Sequence, residues 1–167
     1  MNPDFVDLLR AFLAADVRFL IVGAYALALH GRPRATGDLD VWIEATPDNA
    51  RRVWRALTAF GAPLGEISQA DFSAPGVVYQ IGVAPGRIDV LTELTGVTFA
   101  EAWAERLHRP FGEVEVDFIG RATLLRNKRA TGRHRLEHDG IAMWLWLFPR
   151  ESTRIEPALL TRSCIQL

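Results

Sequence analysis

Val17-Arg18-Phe19-Leu20-Ile21-Val22-Gly23-Ala24-Tyr25, followed by Asp38-Leu39-Asp40-Val41-Trp42-Ile43, is the stretch whose reading decides the fold. The run from Val17 to Val22 is rich in β-branched and aromatic residues, the composition of a buried strand. It ends at Gly23, where the missing Cβ lets backbone N–H groups come close to a ligand. Ala24 to Leu29 favour a short helix and Gly31 supplies a stop. A glycine turn feeding a helix N-terminus is an anion site, because unpaired N–H groups and the helix dipole both face it. The second strand opens with aspartates at i and i+2, so both carboxylates leave one face while Leu39 and Val41 take the other. Two carboxylates on one face beside a phosphate cradle suit Mg²⁺ carrying the phosphates of a nucleotide. Neither part is specific alone: a Gly-Ala turn is an ordinary strand–helix corner, and Asp-x-Asp is commonly a solvated strand edge. The chemistry requires both, in the order strand, turn, helix, strand.

In that order the residues resemble the nucleotidyltransferases of the DNA polymerase β superfamily, in particular the small bacterial ones of toxin–antitoxin and abortive-infection systems. Their signature is a strand, Gly-Gly or Gly-Ser, a spacer, Asp-x-Asp, and a third aspartate on a later strand. Gly23, Asp38 and Asp40 match it. Ala24 stands where the family has Gly or Ser, which keeps the close backbone approach but removes a hydroxyl from the phosphate. The resemblance spans roughly Phe19 to Asp139, and its specific motif is confined to Gly23, Asp38, Asp40 and Asp89.

The third carboxylate is sought on a hairpin formed by Val77–Ile81 and Arg87–Leu91 across Ala84-Pro85-Gly86. Ile88 and Val90 share one face, so Asp89 points the other way, with Arg87 and Leu91. An acid in the middle of an apolar strand demands a partner or a metal. Asp117 is the rival, but it alternates with Glu113 and Glu115 on what reads as the solvent face of an amphipathic strand. Arg34 and Thr36, just ahead of the aspartates, lie in a loop that is either solvated or in reach of phosphate oxygens; relatives often carry Arg-x-Thr there.

Elsewhere the chain reads as scaffold. Asn2-Pro3-Asp4 starts an amphipathic helix with Phe5, Leu8, Leu9, Phe12 and Leu13 inward. Thr46-Pro47-Asp48 caps another, with Val53, Trp54, Leu57 and Phe60 as its stripe and Gly61 at its end. Residues 61–76 read as a long loop. Phe99, Ala102, Trp103 and Leu107 suggest a short helix. Arg121 to Thr131 reads as a basic helix closed by Gly132, with Leu124 and Leu125 inward. Lys128 and Arg133 match positions where relatives keep basic residues, which implies phosphate contact. His134, Glu137 and His138 do not form the zincin pattern, which needs glutamate directly after the first histidine. The apolar segment Met143–Phe148 is a core helix or a surface for a partner protein or a homodimer.

With 167 residues, 49% of them hydrophobic, the chain suffices for one core. We expect a single nucleotidyltransferase-like domain over 1–148 and a C-terminal tail over 149–167. The net charge is −1, yet Arg121–Arg135 carries six basic residues and no acid, which leaves −7 on the rest (−1 less 6). A single cysteine, Cys164, excludes an internal disulfide framework, and no apolar run is long enough to span a bilayer; both suit a cytoplasmic protein. The fold expected is α/β (α+β): a mixed, mostly antiparallel sheet of about five strands backed by helices. The resemblance implies a Mg²⁺-dependent nucleotidyltransferase that moves a nucleoside monophosphate from an NTP such as ATP to an acceptor hydroxyl by a two-metal mechanism. Asp38, Asp40 and Asp89 would be its catalytic and metal-binding residues, and Gly23, Ala24, Arg34, Thr36, Lys128 and Arg133 would contact the nucleotide. RNA (a tRNA end, for example), a protein or a small molecule is the acceptor. The rival expectation is a non-catalytic relative kept as an antitoxin or binding partner.

Overall fold

The structure, a computed structural model, describes residues 2–131 and the strand Leu160–Arg162. Arg133, the His134–His138 group, Met143–Phe148 and the boundary expected between 148 and 149 lie outside the described residues. The elements run α1 (Pro3–Ala14), β1 (Phe19–Ile21), α2 (Gly23–Leu29), β2 (Leu39–Ile43), α3 (Pro47–Phe60), a 3-10 turn (Gln69–Ser73), β3 (Val77–Ile81), β4 (Ile88–Leu91), α4 (Phe99–Ala104), β5 (Leu107–Phe111), β6 (Val114–Phe118), α5 (Arg121–Ala130) and β7 (Leu160–Arg162).

The helix starts are chemical. Asn2 accepts a hydrogen bond from the Asp4 backbone N–H at 3.0 Å, and Thr46 accepts one from the Asn49 N–H at 3.3 Å, with proline at the first turn of both helices. Gly61 closes α3 in the left-handed region, at φ +84°. In α1 Phe5, Leu8, Leu9 and Phe12 are buried, while Leu13 stays 40% exposed at the edge of the stripe.

The strands form one sheet in the order β5-β6-β1-β2-β4-β3-β7. Pairs β1/β2, β3/β4, β3/β7 and β5/β6 are antiparallel; β1/β6 and β2/β4 are parallel. The sheet is therefore mixed and mostly antiparallel, with seven strands rather than about five. One addition is β5, which takes Leu107 out of the expected helix: α4 stops at Ala104, and the chain turns into an edge strand paired with β6. The other is β7, within 149–167, which lies along β3. Residues 61–76 are more than a loop. The 3-10 turn buries Phe72 between Trp54 and Tyr79, at centroid distances of 6.5 and 5.7 Å.

Helices cover both faces. Phe19 meets Phe12 of α1 at 5.4 Å, which sets the face of Phe19, Ile21 and Val41. Trp42 meets Phe99 of α4 at 5.0 Å on the opposite face, the one it shares with Asp40. β2 lies in the middle of the sheet with all five residues buried, and β4 beside it is buried throughout. Such doubly covered strands read as continuous apolar runs. In β2 and β4 the only acids are Asp40 and Asp89.

Asn49 ties this framework together. Its Oδ1 accepts the Arg18 backbone N–H at 2.8 Å, and its Nδ2 donates to the Arg18 and Glu44 carbonyls at 2.9 Å each. One side chain, 1% exposed, thus joins the approach to β1, the exit of β2 and the first turn of α3. Asn49→Ala would leave the Arg18 N–H without a partner and remove one of the two hydrogen bonds accepted by each of the Arg18 and Glu44 carbonyls, which also receive the Glu44 and Thr46 backbone N–H groups. We expect a loss on the order of 3 kcal/mol in urea unfolding; a loss under about 0.5 kcal/mol, typical of a neutral surface site, would show that water replaces the amide.

Candidate active site

The parallel pairing of β2 with β4 sets Asp40 directly opposite Asp89, and the antiparallel pairing of β4 with β3 sets Gln80 opposite Asp89 on the other side. The three side chains therefore leave the same face in a row. Asp38 and Arg87, each two residues earlier on its chain, belong to that face as well. Asp38 stands just before β2, where the Thr36 hydroxyl accepts the Asp38 backbone N–H and donates to the Asp38 carbonyl, both at 3.2 Å. Thr36 shapes the turn that presents Asp38.

Gly23 is required by Asp40. It has φ +60°, and a Cβ there would collide with Asp40 Oδ2. The neighbouring Val22 N–H donates to the Asp40 carbonyl at 3.0 Å, so the end of β1 is fastened to the same residue. The close approach read from the sequence is present, and the group that uses it is a carboxylate of this chain. Ala24, 1% exposed, packs beneath the turn.

Asp40 and Asp89 are 8% and 7% exposed. Burial, then the neighbouring charges of Asp89 and Asp38, push the Asp40 pKa up to about 6, while Lys128 and Arg34 act in the opposite direction. Burial also raises Asp89, reinforced by Asp38 and opposed by Arg87 and by Gln80. Lys128 is 3% exposed: α5 turns Thr123, Leu124, Asn127 and Lys128 inward, while Leu125 is only half-buried. The basic helix expected from the sequence thus directs its lysine toward the carboxylates and leaves Arg121, Arg126 and Arg129 outward.

Arg87 and Gln80 are the residues that sequence reading did not assign to the site. Arg87 Nη2 donates to Asp38 Oδ2 at 2.9 Å, and its Nε lies 2.9 Å from Asp89 Oδ1. The second contact is an ion pair without hydrogen-bond geometry, since both atoms, like Asp38 Oδ1, are buried with no hydrogen-bond partner. The signal for Arg87 was its place on the face of Asp89; Gln80 could be found only from the strand register. Asp117, the rival third carboxylate, is held elsewhere, by Arg106 Nε at 3.1 Å and His108 Nδ1 at 3.0 Å, on a strand two places from β2.

Among the described residues no group of three His, Cys, Asp or Glu side chains converges on one point for a metal. The guanidinium of Arg87 stands between Asp38 and Asp89. The donor set nevertheless fits a hard divalent cation, which takes carboxylate oxygens: two such oxygens, Asp38 Oδ1 and Asp89 Oδ1, lack hydrogen bonds in the interior.

A mixed sheet with this order, helices on both faces and carboxylates at its centre is a nucleotidyltransferase-like fold. The chain is similar in structure to a nucleotidyltransferase candidate from Thermotoga maritima, with a TM-score of 0.54 over 80% of this chain and 88% of that one. Identity between them is 12%, so the likeness is one of fold. No protein-family model and no curated protein matches the sequence.

The raised carboxylates make stability depend on pH with a definite sign. The folded state holds the Asp40 proton up to about pH 6, the unfolded state only to the ordinary 3.8, so ionisation opposes folding increasingly from about pH 4 to 6. At 1.36 kcal/mol per pKa unit the full effect is on the order of 3 kcal/mol. Asp40→Asn should therefore raise the melting temperature of the ligand-free protein on the order of 5 °C at pH 8, with the gain vanishing toward pH 4. A variant that melts lower than wild type at pH 8 contradicts this account of the site.

Proposed function

We propose that the protein is a nucleotidyltransferase of the DNA polymerase β type, transferring a nucleoside monophosphate from an NTP to an acceptor hydroxyl. The observation that carries this reading is the register of β2 and β4, which holds two raised carboxylates side by side with a third on the same face. Asp38, Asp40 and Asp89 would hold Mg²⁺, which when bound supplies charge neutralisation and Lewis-acid polarisation of the phosphates. Asp89, lifted by burial, is suited to receive the proton of the acceptor hydroxyl. As that proton leaves, the acceptor oxygen bonds to the α-phosphorus, the bond from it to the α–β bridging oxygen breaks, and pyrophosphate departs. Backbone N–H groups of Gly23 and Ala24, with Arg34, Lys128 and Arg133, would steady the phosphates; Thr36 contributes through the turn it holds at Asp38.

For the acceptor we favour RNA. Arg121, Arg126 and Arg129 line the outer side of α5, while the buried acids lie behind Lys128, so an anionic acceptor can lie on the helix with its hydroxyl toward the carboxylates. A small cationic acceptor would be drawn to an acidic cleft instead, and a protein acceptor would need an apolar docking patch. The wider setting we propose is a bacterial toxin–antitoxin or abortive-infection system in the cytoplasm. Among the described residues no helix is long and apolar enough to cross a membrane. One observation favours the non-catalytic reading: Arg87 already neutralises two of the acids, as it would in a fold kept for binding alone.

Incubation with labelled NTPs, Mg²⁺ and cellular RNA separates the two. The wild type should label RNA, and Asp89→Asn should lower labelling at least about 100-fold, a general-base loss, with nucleotide affinity changed only a few-fold. Saturating Mg-NTP, at about 100 times its Kd, should stabilise the wild type by roughly 2.7 kcal/mol, and the double variant Asp38→Asn with Asp40→Asn should lose that shift. A shift that survives both substitutions places the nucleotide elsewhere. Reversing Arg126 and Arg129 to glutamate should abolish RNA labelling and its salt dependence; labelling that persists unchanged rules out RNA on this helix.

A further inference from the structure

Arg87 reaches across two strands to touch both Asp38 and Asp89, yet only the contact with Asp38 is a hydrogen bond. One nitrogen makes a hydrogen bond of 2.9 Å to Asp38, while Nε approaches Asp89 at the same distance without hydrogen-bond geometry. Nε, Asp38 Oδ1 and Asp89 Oδ1 all remain without hydrogen-bond partners in the interior. A guanidinium fork fits a single carboxylate with two parallel bonds; spread over two acids it gives charge balance with poor geometry. Its side chain is 25% exposed and that of Asp38 30%, so the bridge lies beside solvent at the start of β4, next to the loop of residues 82–86. A divalent cation offers these oxygens twice the charge and direct coordination. A displaced arginine needs a new anion, because its charge would otherwise stand in a half-buried site without a partner.

We propose that Arg87 is an exchangeable counter-ion that couples metal to triphosphate: it occupies Asp38 and Asp89 in the free protein, yields them to a divalent cation, and turns to the polyphosphate that arrives with it. This rests on the nucleotidyltransferase reading and deepens it. A metal ion alone must evict Arg87 and binds weakly. A metal ion with a triphosphate supplies the acids and the arginine with partners at once, so each ligand strengthens the other.

Titration calorimetry with Mn²⁺ alone, then with inorganic tripolyphosphate, reads this directly in wild type, Arg87→Gln and Arg87→Lys. Arg87→Gln should bind Mn²⁺ alone about tenfold more tightly than wild type, and tripolyphosphate should strengthen Mn²⁺ binding less than it does in wild type; Arg87→Lys should restore part of that coupling. A merely structural arginine gives the opposite sign, since its loss loosens the site and weakens Mn²⁺ binding. Equal or weaker Mn²⁺ binding in Arg87→Gln therefore overturns the proposal. Asp40→Asn separates the two levels. If it abolishes Mn²⁺ binding while Arg87→Gln changes nothing, only the role of Arg87 fails; if Mn²⁺ binding ignores Asp40, or no form of the protein binds Mn²⁺, the metal reading fails with it. Should Arg87→Gln not fold, the Nε–H NMR signal of Arg87 in the wild type, assigned by its loss in Arg87→Lys, decides. It should move on addition of Mg²⁺ with tripolyphosphate, and a signal that stays in place overturns the exchange.

Discussion

Two carboxylates set side by side in the apolar centre of a sheet are the constraint on which the rest of this structure depends. The parallel register of β2 and β4 leaves Asp40 and Asp89 no freedom to separate, and both are nearly excluded from water. Close like charges repel on the order of 4 kcal/mol at an effective dielectric near 20. A domain whose stability is a few such quantities cannot carry them uncompensated. The surroundings are accordingly built for relief: Arg87 bridges Asp38 and Asp89, Gln80 stands opposite Asp89 on the next strand and opposes its rise, and Lys128 and Arg34 oppose the rise at Asp40. The compensation is partial, because Asp40 still rises to about 6. Packing alone would favour an apolar residue at Asp40, and an acid in so unfavourable a place is what the proposed cation site requires.

The scaffold answers the same constraint by rigidity. Gly23 gives up its side chain so that Asp40 can lie against the turn, and the Val22 amide fixes the strand at that point. Asn49, on the far end of the same strands, fastens β1, β2 and α3. Between these two fixed ends β2 has no room to slip, and a slip of one residue would turn both acids toward the helices of the opposite face.

Much of this was legible in the sequence. The order of β1, the glycine turn, α2 and β2 follows from composition and spacing, and Asp89 was found because an acid in an apolar strand requires a partner. The partner was harder. Arg87 shares the face of Asp89, but only its long side chain lets a residue two places earlier fold back and reach a second strand as well. Gln80 depends on the register of a hairpin, which single-strand patterns do not contain. The burial of Lys128 was hidden by its neighbours: a run of arginines reads as a solvated helix, and only the acids behind α5 explain why its lysine turns inward. β5 was missed because Phe99, Trp103 and Leu107 fall at helical spacing, while the strand itself is mostly exposed and contains Pro110, so it lacks the alternation of a half-buried strand. Gly23 was recognised for its freedom, with a ligand rather than Asp40 as the neighbour it admits.

The central claim is that protein cations balance the charge of these acids until a divalent cation and a nucleotide take their place. Crystals grown with Mn²⁺ and a non-hydrolysable NTP test it most directly, because manganese is located by its anomalous scattering without reference to the protein. The account expects a peak about 2.1 Å from oxygens of Asp38, Asp40 and Asp89, with the guanidinium of Arg87 withdrawn from Asp38 and facing phosphate. A nucleotide bound away from β2 and β4, no manganese among the three aspartates and Arg87 still bonded to Asp38 would contradict it.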